Sequence, residues 1–272
     1  MKKNILFFLS LALLAACSPR KKQQSTSVGM KGFYSYYNTL FNSKEALETE
    51  IDARKEGYQD NFFEKYIRLL KTEENPLGVD IEADGGIFSL GEGPGVPGGP
   101  VESNIGNINT ATTLQIAEAK ALKAITKYSV MKGGVEKNKK IFDAHILLAQ
   151  ARLMMDKPLA ALDAVNYLFA NMSKDKDLPL AKIYQAQAYT KLKDYYRADE
   201  IFREVKNDKK LKKGHAKLLS VYYSELLLES GKKEEAIQEL EEAFQLNKNR
   251  ELRSRISFLR GQILNEVGRP EE

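Results

Sequence analysis

The sequence has no tryptophan, only two histidines and one cysteine. A single cysteine excludes a disulfide framework and a metal site built from thiolates. His145 and His215 have no second ligand at helical spacing and no Ser/His/Asp or Cys/His partner set, so no metal centre or catalytic triad is predicted. Sugar faces usually stack on tryptophan, so its absence argues against a glycan-binding protein. We therefore predict a protein without enzymatic activity, cofactor, metal or small-molecule substrate.

The longest apolar run is too short to span a bilayer. It extends from Ile5 to Ala16 after the basic pair Lys2-Lys3, and it is about half as long as a spanning helix. This pattern predicts a signal peptide over residues 1–16. The formal net charge of +5 includes both lysines. The mature chain is therefore weakly basic, and nucleic-acid binding is not predicted.

The end of this apolar run resembles a bacterial lipobox. The residues are Leu14-Ala15-Ala16-Cys17, and Cys17 is the only cysteine. The resemblance implies cleavage before Cys17 and a diacylglycerol thioether on its sulfur, and several long acyl chains hold a protein in a membrane stably. Residues 17–30 then form a polar tether, and position 18 is serine and not aspartate. By the rules of lipoprotein sorting, this implies the outer membrane, facing the periplasm. A chance cysteine at an ordinary cleavage site is the alternative.

A repeated pattern of small residues organises the second half of the chain. In each unit a small residue is followed by another twelve positions later, with a turn between them. The three pairs are Ala149 with Ala161, Ala186 with Ala198, and Ser224 with Ala236. The first small position recurs at 149, 186, 224 and 261, at spacings of 37, 38 and 37. Because two helices approach closely only where side chains are small, this recurrence predicts stacked helical hairpins.

The second unit closely resembles a tetratricopeptide repeat. It carries that family's small, aromatic and alanine positions, which are Ala186, Tyr189, Tyr195, Ala198 and Phe202. The other units depart from the pattern, the closing proline is absent, and the units exceed the family's length of 34 residues. A fourth unit begins at Gly261 but lacks its second helix, so we expect an N-terminal fragment of a longer protein, or else a solitary capping helix.

Residues 31–71 are rich in aromatic residues at helical spacing and predict an N-terminal helical cap. Asn42 followed by Glu45 predicts that a helix begins there with a capping box. Residues 72–109 are rich in glycine and proline and predict a disordered loop. A helix from Thr110 to Met131, ended by Gly133-Gly134, is predicted to pack before the first repeat. The fold class predicted is all-α: a cap, a loop, and a tetratricopeptide-like solenoid over residues 110–272 whose last repeat is incomplete.

The cap and the first repeat also resemble the PorW/SprE lipoproteins of the type IX secretion and gliding motility system. The matching motifs are Tyr36-Tyr37-Asn38-x-x-Phe41-Asn42-x-x-Glu45-Ala46-Leu47 and Asp143-Ala144-x-x-Leu147-Leu148-x-x-Ala151. One departure is Ile67-Arg68-Leu69-Leu70, where that family usually has a Leu-Pro-Val type of stretch. The resemblance implies a scaffold that binds ring and translocon components. A repeat lipoprotein of outer-membrane barrel assembly and a glycan-binding lipoprotein are the alternatives.

The tetratricopeptide resemblance also implies a partner-binding groove lined by the first helix of each unit. An apolar row lies three positions before each small residue: Ile146, Ile183, Val221 and Phe258. An amide-rich row lies one position after it: Gln150, Gln187, Glu225 and Gln262. Such rows suit an extended peptide or a helix, because amides bond backbone groups and apolar side chains bury area. The alternative is that these side chains only pack within the solenoid.

Overall fold

The computed structural model describes residues 27–61, 63–72, 112–209 and 211–271. Within these residues the chain forms ten α-helices and one short β-hairpin. The predicted signal peptide, Cys17, residues 18–26 of the tether and residues 73–109 of the predicted loop lie outside the described residues.

The helices are numbered in chain order. They are α1 (Val28–Ser35), α2 (Phe41–Gly57), α3 (Thr113–Tyr128), α4 (Lys140–Met154), α5 (Pro158–Asn171), α6 (Leu178–Lys191), α7 (Tyr195–Lys206), α8 (Lys213–Glu229), α9 (Lys233–Leu246) and α10 (Arg250–Glu266). A π-helical segment, Tyr36–Leu40, joins α1 to α2, and the hairpin strands are β1 (Met131–Lys132) and β2 (Val135–Glu136). From α2 onwards each helix packs against the next one in the chain. The described residues therefore confirm the all-α class.

The predicted helix start at Asn42 is wrong. Asn42 lies within α2, which continues directly from the π-helical segment, and no side chain caps its first turn. Tertiary contacts hold the chain here: Leu40 and Leu47 are buried, and Ser43 Oγ donates to the carbonyl of Ala117 in α3 at 2.8 Å. Packing against α3 therefore overrides the local capping preference.

The helix predicted from Thr110 to Met131 is shorter in the structure. It begins with a capping box at Thr112 and ends at Tyr128. Gly133 and Gly134 both have positive φ, at 58° and 72°, and form the two-residue turn between β1 and β2. A pair of glycines with positive φ fits a tight hairpin turn, which explains why it does not serve as a helix end here.

Four helix ends repeat one backbone conformation. Asp156, Lys193, Gly231 and Gly268 all have φ between 53° and 78°, and they recur at spacings of 37, 38 and 37. At each one the following residue donates its N–H back across the turn, for example Lys157 to the carbonyl of Arg152 at 2.8 Å. Such a left-handed residue with a backward hydrogen bond ends a helix and reverses the chain. The turns thus share the period of the small residues.

The small residues lie where the pattern predicts close packing. Each of the three complete pairs, from Ala149 to Ala236, is at most 1% exposed. Helices α4 and α6 also contact each other, as do α6 and α8. Gly261 differs: it is exposed, and an added Cβ would meet nothing within 4 Å. Stacked helical hairpins therefore run from α4 to α9, and α10 packs against the last of them.

Candidate functional site

Most of the predicted apolar row lies between units. Ile146 lies in one buried cluster with Tyr184 of α6, and Ile183 lies in another with Leu219 of α8. Val221 lies in a third buried cluster that also contains Ile256 of α10, and all three row members are at most 8% exposed. Each of these three side chains thus lies in a buried cluster that includes residues of the next unit's first helix. In this structure these three side chains supply packing between units, and partner binding by them stays a prediction.

Phe258 belongs to the same row but is 50% exposed. It lies on α10, the last described helix, and no further described helix packs beside it. With Phe244, Arg250 and Arg253 it lines a shallow surface depression. The guanidinium of Arg253 lies 3.9 Å from the centroid of the Phe244 ring.

The members of the amide-rich row differ in exposure. Gln150 and Glu225 are half-buried, while Gln187 is 7% exposed, with its side-chain oxygen lacking a hydrogen-bond partner among the described residues. Gln262 is occupied: its Oε1 accepts the backbone N–H of Ile67 at 3.1 Å. The last amide of the row therefore binds the backbone of a distant part of the same chain.

That distant part is the segment between α2 and the predicted loop, here called the N-terminal segment and defined as residues 58–61 and 63–72. It contains no described helix or strand, and its Ile67 and Leu69 are buried against α8, α9 and α10. Arg68, between them, remains partly exposed. The apolar side of α10, formed by Ile256, Leu259, Ile263 and Leu264, is buried in the same cluster.

Arg255 fastens the N-terminal segment to α10. Its guanidinium donates to both carboxylate oxygens of Asp60, at 2.9 and 2.6 Å, and its Nε donates to the carbonyl of Arg68 at 2.8 Å. The fork geometry of arginine matches a carboxylate well. The Arg255 hydrogen bonds hold the pKa of Asp60 below its usual value. Asp60 therefore remains ionised as a partner for Arg255.

Charged contacts extend along both sides of this junction. Glu266 pairs with Lys233 at 2.7 Å and with Lys65 at 2.6 Å, and it accepts from the Tyr66 hydroxyl. Hydrogen bonds from Lys233, Lys65 and Tyr66 lower the pKa of Glu266 to about 2. Burial, together with the bond to Glu266, raises the pKa of Tyr66 to about 12.

The other end of the N-terminal segment returns to α2. The carbonyl of Thr72 accepts from Arg54 Nη1 at 2.9 Å, and Lys71 pairs with Glu251 of α10. Since α2 itself packs on α3 and α4, α2 and the N-terminal segment together link the first repeat unit to α10. The sequence pattern did not reveal this link. An arginine beside Ile256 on the apolar side of a helix was the one available indication, because such a charge needs a buried partner.

The two histidines lie on different helices, His145 on α4 and His215 on α8. His145 stacks on Tyr167, with ring centroids 4.2 Å apart, and burial lowers its pKa to about 4. His215 lies near Asp177, and burial lowers its pKa as well. Across the described part of the chain, no group of three His, Cys, Asp or Glu side chains could hold a metal ion.

The described helices contain no segment both long and apolar enough to cross a membrane. Comparison with protein-family models and with curated proteins gives no match. The functional interpretation therefore depends on the residues and contacts described above.

Proposed function

We propose that this chain is a non-enzymatic scaffold, a tetratricopeptide-like array held in the outer membrane by a lipid on Cys17 and facing the periplasm. In this proposal it binds other envelope proteins. Its role is that of the PorW/SprE-type lipoproteins, which link ring and translocon components in type IX secretion and gliding motility.

The repeated architecture supports the tetratricopeptide assignment. Buried small residues and left-handed turn residues share one period, with spacings of 37, 38 and 37. Arrays of this kind act mainly as extended binding surfaces, because each unit contacts only its neighbours and the stacked helices present a continuous face.

The observation that carries the binding function is the N-terminal segment on α10. Here the array already holds a non-helical peptide. Gln262 bonds the backbone at Ile67, Ile67 and Leu69 enter an apolar cluster, and Arg255 holds a carboxylate. Recognition of an irregular or extended peptide uses this combination of backbone hydrogen bonds, apolar anchors and one charged contact. Gln150 and Glu225 continue the same row on α4 and α8.

A crosslinking pull-down from native membranes tests the proposal. The protein carries an affinity tag at its natural C-terminus, and the crosslinked partners are identified by mass spectrometry. We expect type IX ring or translocon components to be enriched over a control strain with an untagged protein. Enrichment of barrel-assembly components in their place would overturn the type IX assignment while leaving the scaffold function in place.

A further inference from the structure

Helix α1 has its small residues on the inward side and its large apolar side chains on the outward side, the reverse of an ordinary surface helix. Its inward side carries Gly32 and Ser35: Ser35 is fully buried, and a Cβ at Gly32 would lie 3.3 Å from Asn138 Oδ1. Its outward side carries Met30, Phe33 and Tyr34, which are 45%, 54% and 40% exposed. At 100° per residue these three positions lie opposite Gly32 and Ser35. A helix packed only against its own protein would turn the large apolar side chains inward.

Aromatic side chains are also exposed beyond α1, where Lys140 Nζ lies 5.0 Å from the centroid of the Tyr36 ring. Tyr36 and Phe41 are also exposed, and the Phe33 and Tyr34 rings meet edge to face at 5.9 Å. Single exposed apolar residues are ordinary on a protein surface, whereas a contiguous group marks a contact with a partner or a membrane. This group lies at the N-terminal end of the described chain.

The position of α1 in the chain identifies the occupant. Its first turn is capped by Ser27, whose Oγ accepts the N–H of Met30 at 3.3 Å. Ser27 lies ten residues after Cys17. Ten residues reach at most about 35 Å, so a lipid on Cys17 keeps α1 within that distance of the bilayer. Phenylalanine and tyrosine rings favour the membrane–water interface. The intervening Arg20, Lys21 and Lys22 add attraction to anionic headgroups.

We infer that the outward face of α1, formed by Met30, Phe33 and Tyr34, lies in the interface of the bilayer that holds the lipid on Cys17. The inference rests on the lipid anchor of the proposed function. It adds a second contact that fixes the orientation of the array: α1 lies along the membrane surface, and the helical units extend away from it. Two linked contacts also bind more tightly than either alone.

The absence of tryptophan permits a direct test. The variant Phe33→Trp places one tryptophan in the proposed face. The matched control Tyr196→Trp places one on α7, at a position 81% exposed and distant in the chain. Each natively processed protein is purified and reconstituted into anionic phospholipid vesicles with or without brominated acyl chains, which quench tryptophan on contact. Mass spectrometry of the Cys17 peptide establishes in the same samples whether the lipid is present.

We expect brominated lipid to lower the fluorescence of the Phe33→Trp protein by about half and to leave the Tyr196→Trp protein unchanged. Acylated protein with equal fluorescence in both kinds of vesicle would overturn the inference and leave the anchor in place. Absence of acylation would overturn the anchor. In that case the unacylated Phe33→Trp protein would be added to the vesicles. Quenching of its fluorescence by brominated lipid would support contact between the α1 face and the bilayer, and unchanged fluorescence would overturn that contact.

A second variant separates the membrane from a second copy of this chain. Met30→Ser/Phe33→Ser/Tyr34→Ser alters only exposed side chains, so the fold should persist, as circular dichroism can verify. Chain that lacks residues 1–16 and carries Cys17→Ser should co-float with anionic vesicles, and the triple variant in the same background should lose at least about fivefold in bound fraction, since its apolar face is gone. The inference would be overturned in favour of a dimer if the parent chain self-associated without vesicles and the triple variant did not.

Discussion

The attachment of the N-terminal segment to α10 depends on Arg255, so Arg255→Ala should release it. The substitution removes two hydrogen bonds to the Asp60 carboxylate and those to the carbonyl of Arg68. The Arg255 side chain is 10% exposed and that of Asp60 is 26% exposed, so both partners lose contacts made largely away from water. Removing one member of such a pair costs about 3 kcal/mol. Water can still reach Asp60, which places the cost at the lower end of that range.

Hydrogen exchange measures this effect at the segment itself. The N–H of Ile67 is held by Gln262, so its exchange reports opening of the junction. A cost of about 3 kcal/mol corresponds to exchange faster by roughly 100-fold, since each 1.4 kcal/mol is a factor of ten. Arg253→Ala is the control on the same helix, because its guanidinium contacts the Phe244 ring and not the segment. It should cost less than about 1 kcal/mol.

The pH dependence tests the same pair independently. The folded-state pKa of Asp60 lies below the unfolded value, because of its hydrogen bonds to Arg255. The contribution of ionised Asp60 to folding stability is therefore complete above the unfolded-state pKa of about 4, and it is lost as the pH falls through the lower folded-state pKa. Asp60→Asn should remove this part of the acid sensitivity. The reasoning would be refuted if Arg255→Ala left Ile67 exchange within about threefold of the parent, or matched Arg253→Ala.

Three further predictions concern packing, turns and burial. Phe202→Ala leaves a cavity at a fully buried site and should lower the free energy of unfolding, measured by urea denaturation, by about 3–5 kcal/mol. The control Tyr196→Ala, at an exposed position, should lower it by less than about 0.5 kcal/mol. Similar losses in the two variants would contradict the assignment of Phe202 to the core. Gly231→Ala puts an L residue at a positive φ and should lower the free energy of unfolding by about 1 kcal/mol, whereas Asp156→Gly at the equivalent turn should not lower it. Equal effects of the two substitutions would contradict the conclusion that the two turns have the same backbone conformation. Burial lowers the pKa of His145 to about 4. The stability that comes from burying the neutral imidazole is therefore complete above pH 6.5 and falls by about 3 kcal/mol towards pH 4. His145→Phe should reduce the pH dependence of the free energy of unfolding over that window, and an unchanged slope would contradict this.

The helical hairpins could be predicted because small residues leave a local and periodic record of close packing. Ala186 and Ala198 lie on helices joined by one short turn, and their spacing depends only on helix length and turn length. The turn residue Lys193 follows from the same geometry. The prediction of an all-α fold needed nothing beyond this pattern, and the structure confirms it; the tetratricopeptide assignment remains our proposal.

Other features depend on contacts that the local sequence does not encode. Asn42 is a residue type that is common at helix N-caps, yet Leu40 and Ser43 pack against α3 and keep the helix continuous. Ile183 of the apolar row lies in one buried cluster with Leu219 of the next unit's first helix, and these two helices, α6 and α8, are in contact. That arrangement depends on how units stack, which a single unit does not reveal.

The junction between Asp60 and Arg255 was the least predictable part of the candidate site. The two residues are 195 positions apart, and neither belongs to a repeating pattern. Only the folded chain brings them together. Gln262, a member of the predicted partner-binding row, accepts the backbone N–H of Ile67 from the same chain, and its binding of a partner stays a prediction.

Site-specific photo-crosslinking in native membranes tests the central claim, that the amide-rich row of the array binds another protein. A photoreactive amino acid replaces Gln150, a half-buried member of the row, and in a matched strain it replaces the exposed Tyr196 of α7. We expect light-dependent adducts with another envelope protein from position 150 and none from position 196. Adducts only from position 196, or none from position 150 in cells that assemble the protein normally, would contradict the claim.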